Sequence, residues 1–153
     1  MLIYLNNQKK RRFLLALKAE VSSPSTDEYF DFIYARLVLH YLPKKDLIKS
    51  LEDLYRVLVN HGKIFIVVRS IDCIDATDRN ASYDPETCMT TYSSQGTSLS
   101  RYFHSEKSIQ EHLTIAGFRI QKVHSYEEIL CSDFKRMHTS KYPDALIEVV
   151  GIK

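Results

Sequence analysis

The chain of 153 residues has no tryptophan, only four glycines and only three cysteines. No glycine precedes Gly62. The stretch before it therefore has no place where a backbone without side chains can approach a phosphate or nucleotide closely, and a glycine-rich phosphate cradle is excluded there. Cys73, Cys88 and Cys131 are odd in number and widely spaced. No pair makes a metal knuckle or a redox motif, so no metal is expected, and the thiols read as reduced in a cytoplasmic protein. No apolar run approaches the roughly 18 residues of a membrane-spanning helix. The basic run Lys9–Arg12 is followed only by the short apolar run Phe13–Leu17, too short for a signal peptide. Neither sign of charge predominates: 21 basic and 19 acidic residues leave a net +2. That balance argues against nucleic acid as a partner.

What is present suits a folded core. The apolar fraction is 44%, and ten tyrosines with seven phenylalanines supply the aromatic volume. The length suits one domain over residues 1–153. The central stretch, 30–70, reads as strand, crossover helix, parallel strand. Phe30–Tyr34 is a short apolar run suited to a buried strand. Leu47, Leu51, Leu54, Tyr55, Leu58 and Val59 recur at helical spacing, with Lys49, Glu52, Asp53 and Arg56 mostly on the opposite face. Pro43 suits a helix start. The helix is predicted to reach about Asn60 and to be closed by His61-Gly62 in a left-handed cap. Ile64–Val68 is the second strand. The spacing fits a right-handed βαβ unit.

The flanks are less regular. Met1–Leu5 is a candidate strand with a turn at Asn6-Asn7. Phe13–Val21 is compatible with helix or strand. Residues 71–101 are polar and turn-rich, and read as a long loop or lid. Their acidic residues do not follow the spacing of a calcium loop. Ser105 caps a helix carrying Ile109, Leu113 and Ala116 and ending at Gly117. Its capping box looks incomplete, because Ser108 stands where a glutamate is usual. Phe118–Val123 reads as a strand, Ser125–Leu130 as a short helix, and Ala145–Gly151 as a final strand.

Asp31, the run Tyr34–Leu42, the Arg56-Val57-Leu58 and Gly62-Lys63-Ile64 pattern, the segment RYFHSEKSIQEHLTIAGF and the closing ALIEVVGIK resemble the second half of a class I S-adenosylmethionine-dependent methyltransferase. The resemblance extends over roughly residues 18–153. It implies an α/β fold: a truncated Rossmann-like methyltransferase sheet, mostly parallel, with an antiparallel last strand. The complete strand order in that family is 3-2-1-4-5-7-6. Its opening acidic-Gly-x-Gly-x-Gly turn and first two βα units have no counterpart here, and about twenty residues cannot replace them. The resemblance implies S-adenosylmethionine as cofactor and a small-molecule methyl acceptor. On the cofactor side it places Glu20, Val21, Ala35, Arg36, Leu37 and His40; on the acceptor side Arg69, Tyr102 and His104, with Tyr83 and Tyr92 as weaker candidates.

Each of these residues also has a plainer reading. Glu20 is equally an exposed acid before a loop. Arg36 is a pocket residue or half of a surface ion pair. His40 closes over an adenine or is bonded locally. Arg69 faces an acidic acceptor or pairs with Asp72. His104 is a base or a structural histidine. No catalytic acid or base is nominated, because methyl transfer from a sulfonium rests mainly on orientation. Loss of the first strands would leave an apolar edge on the Phe30–Tyr34 strand. A homodimer along that edge is expected, with coverage by the N-terminal segment or an unstable truncation as the alternatives. Two functions follow: methyl transfer, or a non-catalytic dimerisation or interaction domain. A nucleotide-binding module of another α/β class is disfavoured by the missing phosphate cradle.

Overall fold

The computed structural model describes residues 2–7, 11–16, 27–94, 96–131, 139–140 and 142–153. Its elements in chain order are β1 (Leu2–Asn7), β2 (Arg11–Ala16), β3 (Phe30–Arg36), a 3₁₀ turn (Leu39–Tyr41), α1 (Lys44–Val57) and β4 (Leu58–Arg69). There follow a second 3₁₀ turn (Ile74–Thr77), β5 (Ser82–Asp84), β6 (Met89–Ser94), β7 (Thr97–Arg101), α2 (Glu106–Ile115), β8 (Arg119–Glu128) and β9 (Asp144–Ile152). The main sheet has six strands in the order β1-β2-β3-β4-β9-β8. β2, β3 and β4 are parallel, β9 is antiparallel to both its neighbours, and β1 is antiparallel to β2. Four strands, β8 included, thus run one way and two the other. The expected antiparallel last strand, inserted between two strands of the common direction, is what the chain forms.

The core explains the order. β3 turns Ile33 and Ala35 toward the helices, β4 turns Ile64, Ile66 and Val68, and β9 turns Ile147 and Val149. α1 answers with Leu47, Leu51, Leu54 and Val57, and α2 with Ile109 and Leu113. The apolar stripes read from the sequence are therefore the buried faces, and both helices pack on one face of the sheet. Each fully buried leucine or isoleucine contributes about 1.5–3 kcal/mol. Among the described residues no helix is long and apolar enough to cross a membrane.

Several local expectations are corrected. α1 ends at Val57, not near Asn60, and β4 starts at Leu58 without a loop. The left-handed residue is His61 (φ 64°), not Gly62. Gly62 is needed for space instead: a Cβ there would lie 2.7 Å from Leu58 Cγ and 2.8 Å from the Val59 carbonyl. The capping box of α2 is complete. Ser108 N–H donates to Ser105 Oγ at 3.1 Å and Ser105 N–H donates to Ser108 Oγ at 3.0 Å, so a serine does the work usually given to glutamate. Residues Ser125 to Glu128 extend β8 rather than forming a helix, because they pair with Ile147 back to Asp144 of β9. Residues 71–101 are not an open loop; they hold the second 3₁₀ turn and a three-stranded antiparallel sheet, β5-β6-β7.

The N-terminal segment alters the picture most. Leu2–Asn7 is one strand rather than a shorter strand and a turn, and Arg11–Ala16 is a strand that starts within the basic run. β2 lies parallel on β3, with Phe13 opposite Phe32 and Leu15 opposite Tyr34. The β3 edge expected to be open, and to drive dimerisation, is thereby occupied by the chain itself.

Gly62→Ala should lower unfolding free energy by about 1–3 kcal/mol, since the new methyl must displace Leu58 or the backbone of Val59. Urea denaturation monitored by circular dichroism measures the difference; an unchanged midpoint would show that this close approach is relaxed in solution.

Candidate functional site

Open α/β sheets bind ligands beyond the carboxyl ends of their parallel strands. Here that end is built by the segments following β3 and β4. After Arg36 the chain reverses at Leu37, whose φ of 55° is an uncommon, left-handed conformation for a residue with a side chain. Its N–H donates to the Val67 carbonyl at 2.8 Å, which fixes the reversal against β4. The 3₁₀ turn then buries Leu39 and His40. The segment after β7 returns to the same place. Tyr102 N–H donates to the His40 carbonyl at 2.8 Å, His104 N–H to the Arg69 carbonyl at 2.9 Å, and Ile71 N–H to the His104 carbonyl at 2.9 Å. These bonds stitch Tyr102–His104 onto the ends of both strands.

Two clusters result. The first is aromatic and buried: Tyr102, His104 and His112, with the buried His40 joined to Tyr102 through its backbone carbonyl. The rings of Tyr102 and His104 lie 4.1 Å apart and those of His104 and His112 6.1 Å apart. The Tyr102 hydroxyl and His112 Nε2 share a hydrogen bond of 2.9 Å. Among the described residues, the ring nitrogens of His40 and His104 have no hydrogen-bond partner. Burial makes their charged forms unfavourable. It holds the His104 imidazole down to about 3, with His112 adding to the effect. It holds His40 well below the ordinary imidazole value, with Arg101 and Arg69 contributing. His112 is lowered by burial and then by Lys44. These are neutral rings in a closed setting.

The second cluster is ionic. Arg69 reaches Asp144 with both guanidinium nitrogens, Nη2 to Oδ2 at 3.2 Å, and Asp75 at 3.4 Å. Arg101 donates to Asp75 at 3.4 Å and to the Tyr92 hydroxyl, and its guanidinium lies 5.4 Å from the Tyr41 ring centre and 5.6 Å from that of Tyr92. Burial pushes the Asp144 carboxyl up, against the pull of Arg69. Burial works most strongly against the Arg69 guanidinium, and Asp144 together with Cys73, Tyr92 and Asp75 outweighs it, so the net shift is upward.

The nominated residues are thus distributed unevenly. Arg69 pairs with Asp144 and Asp75 rather than with Asp72, which accepts instead from Ser70 Oγ at 2.9 Å. Arg36 is bound to Glu128 of β8 at 2.5 Å, the ion-pair alternative. Ala35 is fully buried in the main core, Tyr102 and His104 meet in the ring cluster, and the buried His40 is tied to Tyr102 through its backbone carbonyl. Leu37 stands at the reversal. Glu20 and Val21 lie outside the described residues. Tyr83 is exposed, whereas Tyr92 is buried. Sequence reasoning missed His112, Arg101 and Asp144. His112 had a signal: it follows Ile109 at helical spacing on the buried stripe. Asp144 had none, being 75 residues from Arg69.

Would this end hold S-adenosylmethionine? Its glycines are elsewhere: Gly62 early in β4, Gly96 between β6 and β7, Gly117 after α2, Gly151 near the end of β9. Leu37 alone supplies a left-handed backbone at the end of β3. The described residues therefore do not make a backbone cradle for the cofactor, and no chemical step is derived through it. Among the described residues no group of three or more His, Cys, Asp or Glu side chains could hold a metal ion.

Two outcomes follow. A histidine neutral in the fold and titrating near 6.5 when unfolded favours the unfolded state as pH falls below that value. Stability should therefore decline from about pH 6.5 toward His104's folded value of about 3, by up to about 1.4 kcal/mol per pH unit for each such ring. Urea unfolding between pH 7.5 and 4 measures this decline, and His104→Gln should reduce its steepness. Separately, Asp144→Ala leaves a nearly buried guanidinium short of its main partner and should cost about 3 kcal/mol. A loss under about 0.5 kcal/mol in the same assay would mean that Asp75 and water replace Asp144 at no cost.

A family model described as a methyltransferase domain matches residues 1–66. Among curated proteins, none matches. A solved S-adenosylmethionine-dependent methyltransferase from Methanosarcina mazei is similar at 17% identity and TM-score 0.62, over 86% of this chain and 63% of that one. A putative S-adenosylmethionine-dependent methyltransferase from Listeria monocytogenes is similar at 14% identity and TM-score 0.59, over 86% and 65%. A third, the 1,6-didemethyltoxoflavin-N1-methyltransferase of Burkholderia thailandensis, solved with S-adenosylhomocysteine, is similar at 20% identity and TM-score 0.55, over 87% and 48%. The chain thus spans less than two thirds of the length of each of these relatives. The sheet order, the antiparallel β9 and these likenesses together establish a Rossmann-like fold of the S-adenosylmethionine-dependent methyltransferase type over most of the chain.

Proposed function

We propose that this chain is an S-adenosylmethionine-dependent methyltransferase-like protein that transfers a methyl group to a small-molecule acceptor. The observation that carries the reading is the sheet itself: β3, β4, β9 and β8 in that family's order, with a reversal at Leu37 where a ligand of such a sheet would lie. In this reading Glu20, Val21, Arg36, Leu37 and the buried pair Ala35 and His40 support the donor side. The rest of the donor cradle comes from polypeptide outside the described residues or from a second chain. The chemistry needs an acceptor held in line with the methyl group, which requires orientation rather than a dedicated acid or base. That suits a site whose histidines are neutral and enclosed.

The acceptor-side residues take positioning roles. Tyr102 and His104 hold the segment after β7 against the ends of β3 and β4, and Arg69 anchors β4 to β9 through Asp144. With both arginines already matched by carboxylates, and with Tyr41, Ile71 and Ile74 exposed beyond the strand ends, the site favours an uncharged acceptor with an apolar surface. Cys73, Cys88 and Cys131 are all free thiols, which suits a reducing, cytoplasmic compartment. A second reading, a non-catalytic interaction domain derived from a methyltransferase, is favoured by one observation: no described residue supplies the cofactor's cradle.

Titration calorimetry with S-adenosylhomocysteine separates the two. The isolated chain should bind weakly, with a Kd near 1 mM, about −4 kcal/mol, and Arg36→Ala should weaken it further. Micromolar binding lost in both Arg36→Ala and Glu20→Ala would assign a complete donor site to this chain. No heat at millimolar ligand would leave the interaction domain as the better reading.

A further inference from the structure

We propose that His104 is an acid-sensitive latch: it closes the neck of the excursion that carries the small sheet, and protonation of the imidazoles enclosed there releases residues 102–104 from the ends of β3 and β4. The chain leaves the main sheet after Ser70 and rejoins it at His104, where the two residues form a parallel bridge. β5, β6 and β7 all lie in the excursion between them. His104 N–H donates to the Arg69 carbonyl, and the His104 carbonyl accepts from Ile71 N–H, each at 2.9 Å. Tyr102 N–H adds its bond to the His40 carbonyl. Ser70 is itself fixed to β9, its N–H donating to the Ala145 carbonyl at 2.9 Å. One residue thus supplies both the backbone that shuts the neck and a titratable ring. His104 is 0% exposed and His40 1%, so these rings meet water only when this backbone moves.

Among the described residues, the surroundings offer an added proton no free counter-charge. The end of β4 brings Arg69, held by Asp144 and Asp75, and Asp72, which accepts from Ser70 Oγ. β7 brings Arg101, bonded to Asp75. α1 brings Lys44, which acts on His112. α2 brings His112, whose Nε2 is bonded to the Tyr102 hydroxyl. It also brings two acids: Glu106 accepts from Ser125 Oγ, and Glu111 lies 3.8 Å from Lys107 Nζ. Beyond Tyr102 stand Cys88 and Tyr83. Each of these carboxylates already has a partner. The positive charges of Arg101 and Arg69 act on His40, and His112 acts on His104. Burial and these neighbours all favour the neutral rings. A proton added to either ring is therefore accommodated by opening rather than by pairing.

α2 need not move with the neck. Its first turn is held by the reciprocal bonds of Ser105 and Ser108, in which His104 takes no part. The motion is a swing of residues 102–104 about the junction of His104 with Ser105. It uncovers the carboxyl ends of β3 and β4, the side on which such a sheet takes a ligand. An imidazole that titrates near 6.5 in the open state and at about 3 in the closed one draws the latch open as pH falls below 6.5. For one such ring the opening constant rises about 30-fold between pH 7.5 and 5.0. The latch does not depend on methyl transfer.

Native-state hydrogen exchange of the full chain tests it, followed by NMR at pH 7.5 and 5.0 and corrected for the intrinsic exchange rate. Protection of the Ile71, Tyr102 and His104 amides should fall at least 30-fold at the lower pH. A local opening exposes little surface, so this protection should be indifferent to urea up to about 1 M. Protection of the Leu51 and Leu54 amides in α1 should be higher and should fall with urea. His104→Gln should cut the pH-dependent fall at the neck at least tenfold while the α1 amides stay protected. If that variant does not fold, His40→Gln takes its place with the same expectation. A fall of less than threefold in the unaltered chain overturns the inference. So do neck and α1 amides that share one protection and one urea dependence, since opening would then be global unfolding, and so does a variant that folds and keeps the original pH response.

Discussion

The burial of β3 and β4 beneath α1 is the interaction on which the other elements depend. A parallel pair cannot be joined by a short turn, so the chain must cross over, and the right-handed crossover brings α1 back onto the sheet. Once Leu47, Leu51 and Leu54 cover Ile33, Ile64 and Ile66, the outer side of β4 remains a bare apolar edge. β9 fills it, and its antiparallel sense leaves room for β8 at the rim. α2 then has a place beside α1, where Ile109 and Leu113 extend the same core. On the other side β2 completes β3.

At the carboxyl end of these strands the chain binds its own charges. Arg69 and Arg101 stand where a ligand's anion would be welcome, yet Asp144 and Asp75 neutralise them. The three histidines are equally inward-looking; their rings fill space between α2, the 3₁₀ turn and the segment after β7. A small sheet that sequence reading treats as a loop is thereby fastened to the large one.

Legibility followed the range of each interaction. The α1 stripe, the β4 run and the terminal β9 are visible because their periodicity is local and their burial uniform. Helix ends were less visible: Val57 and Leu58 are both apolar, and nothing in their chemistry marks the change from helix to strand. Ser108 was misjudged because a serine bonding back to the Ser105 amide is a geometric matter rather than a compositional one. The β5-β6-β7 sheet was hidden by polar, turn-like residues, whose pairing comes from backbone hydrogen bonds rather than from an apolar pattern.

The sequence by itself determined the βαβ unit, the side of each helix that is buried and the lack of any glycine residue before Gly62. All three depend on residue type and spacing within a few turns of chain. Only the tertiary structure decided the partners of Arg36 and Arg69, the enclosure of His40 and His104, and the covering of β3 by β2. Those depend on contacts such as Arg36 with Glu128, 92 residues apart, and no local pattern encodes the meeting of two side chains at that separation.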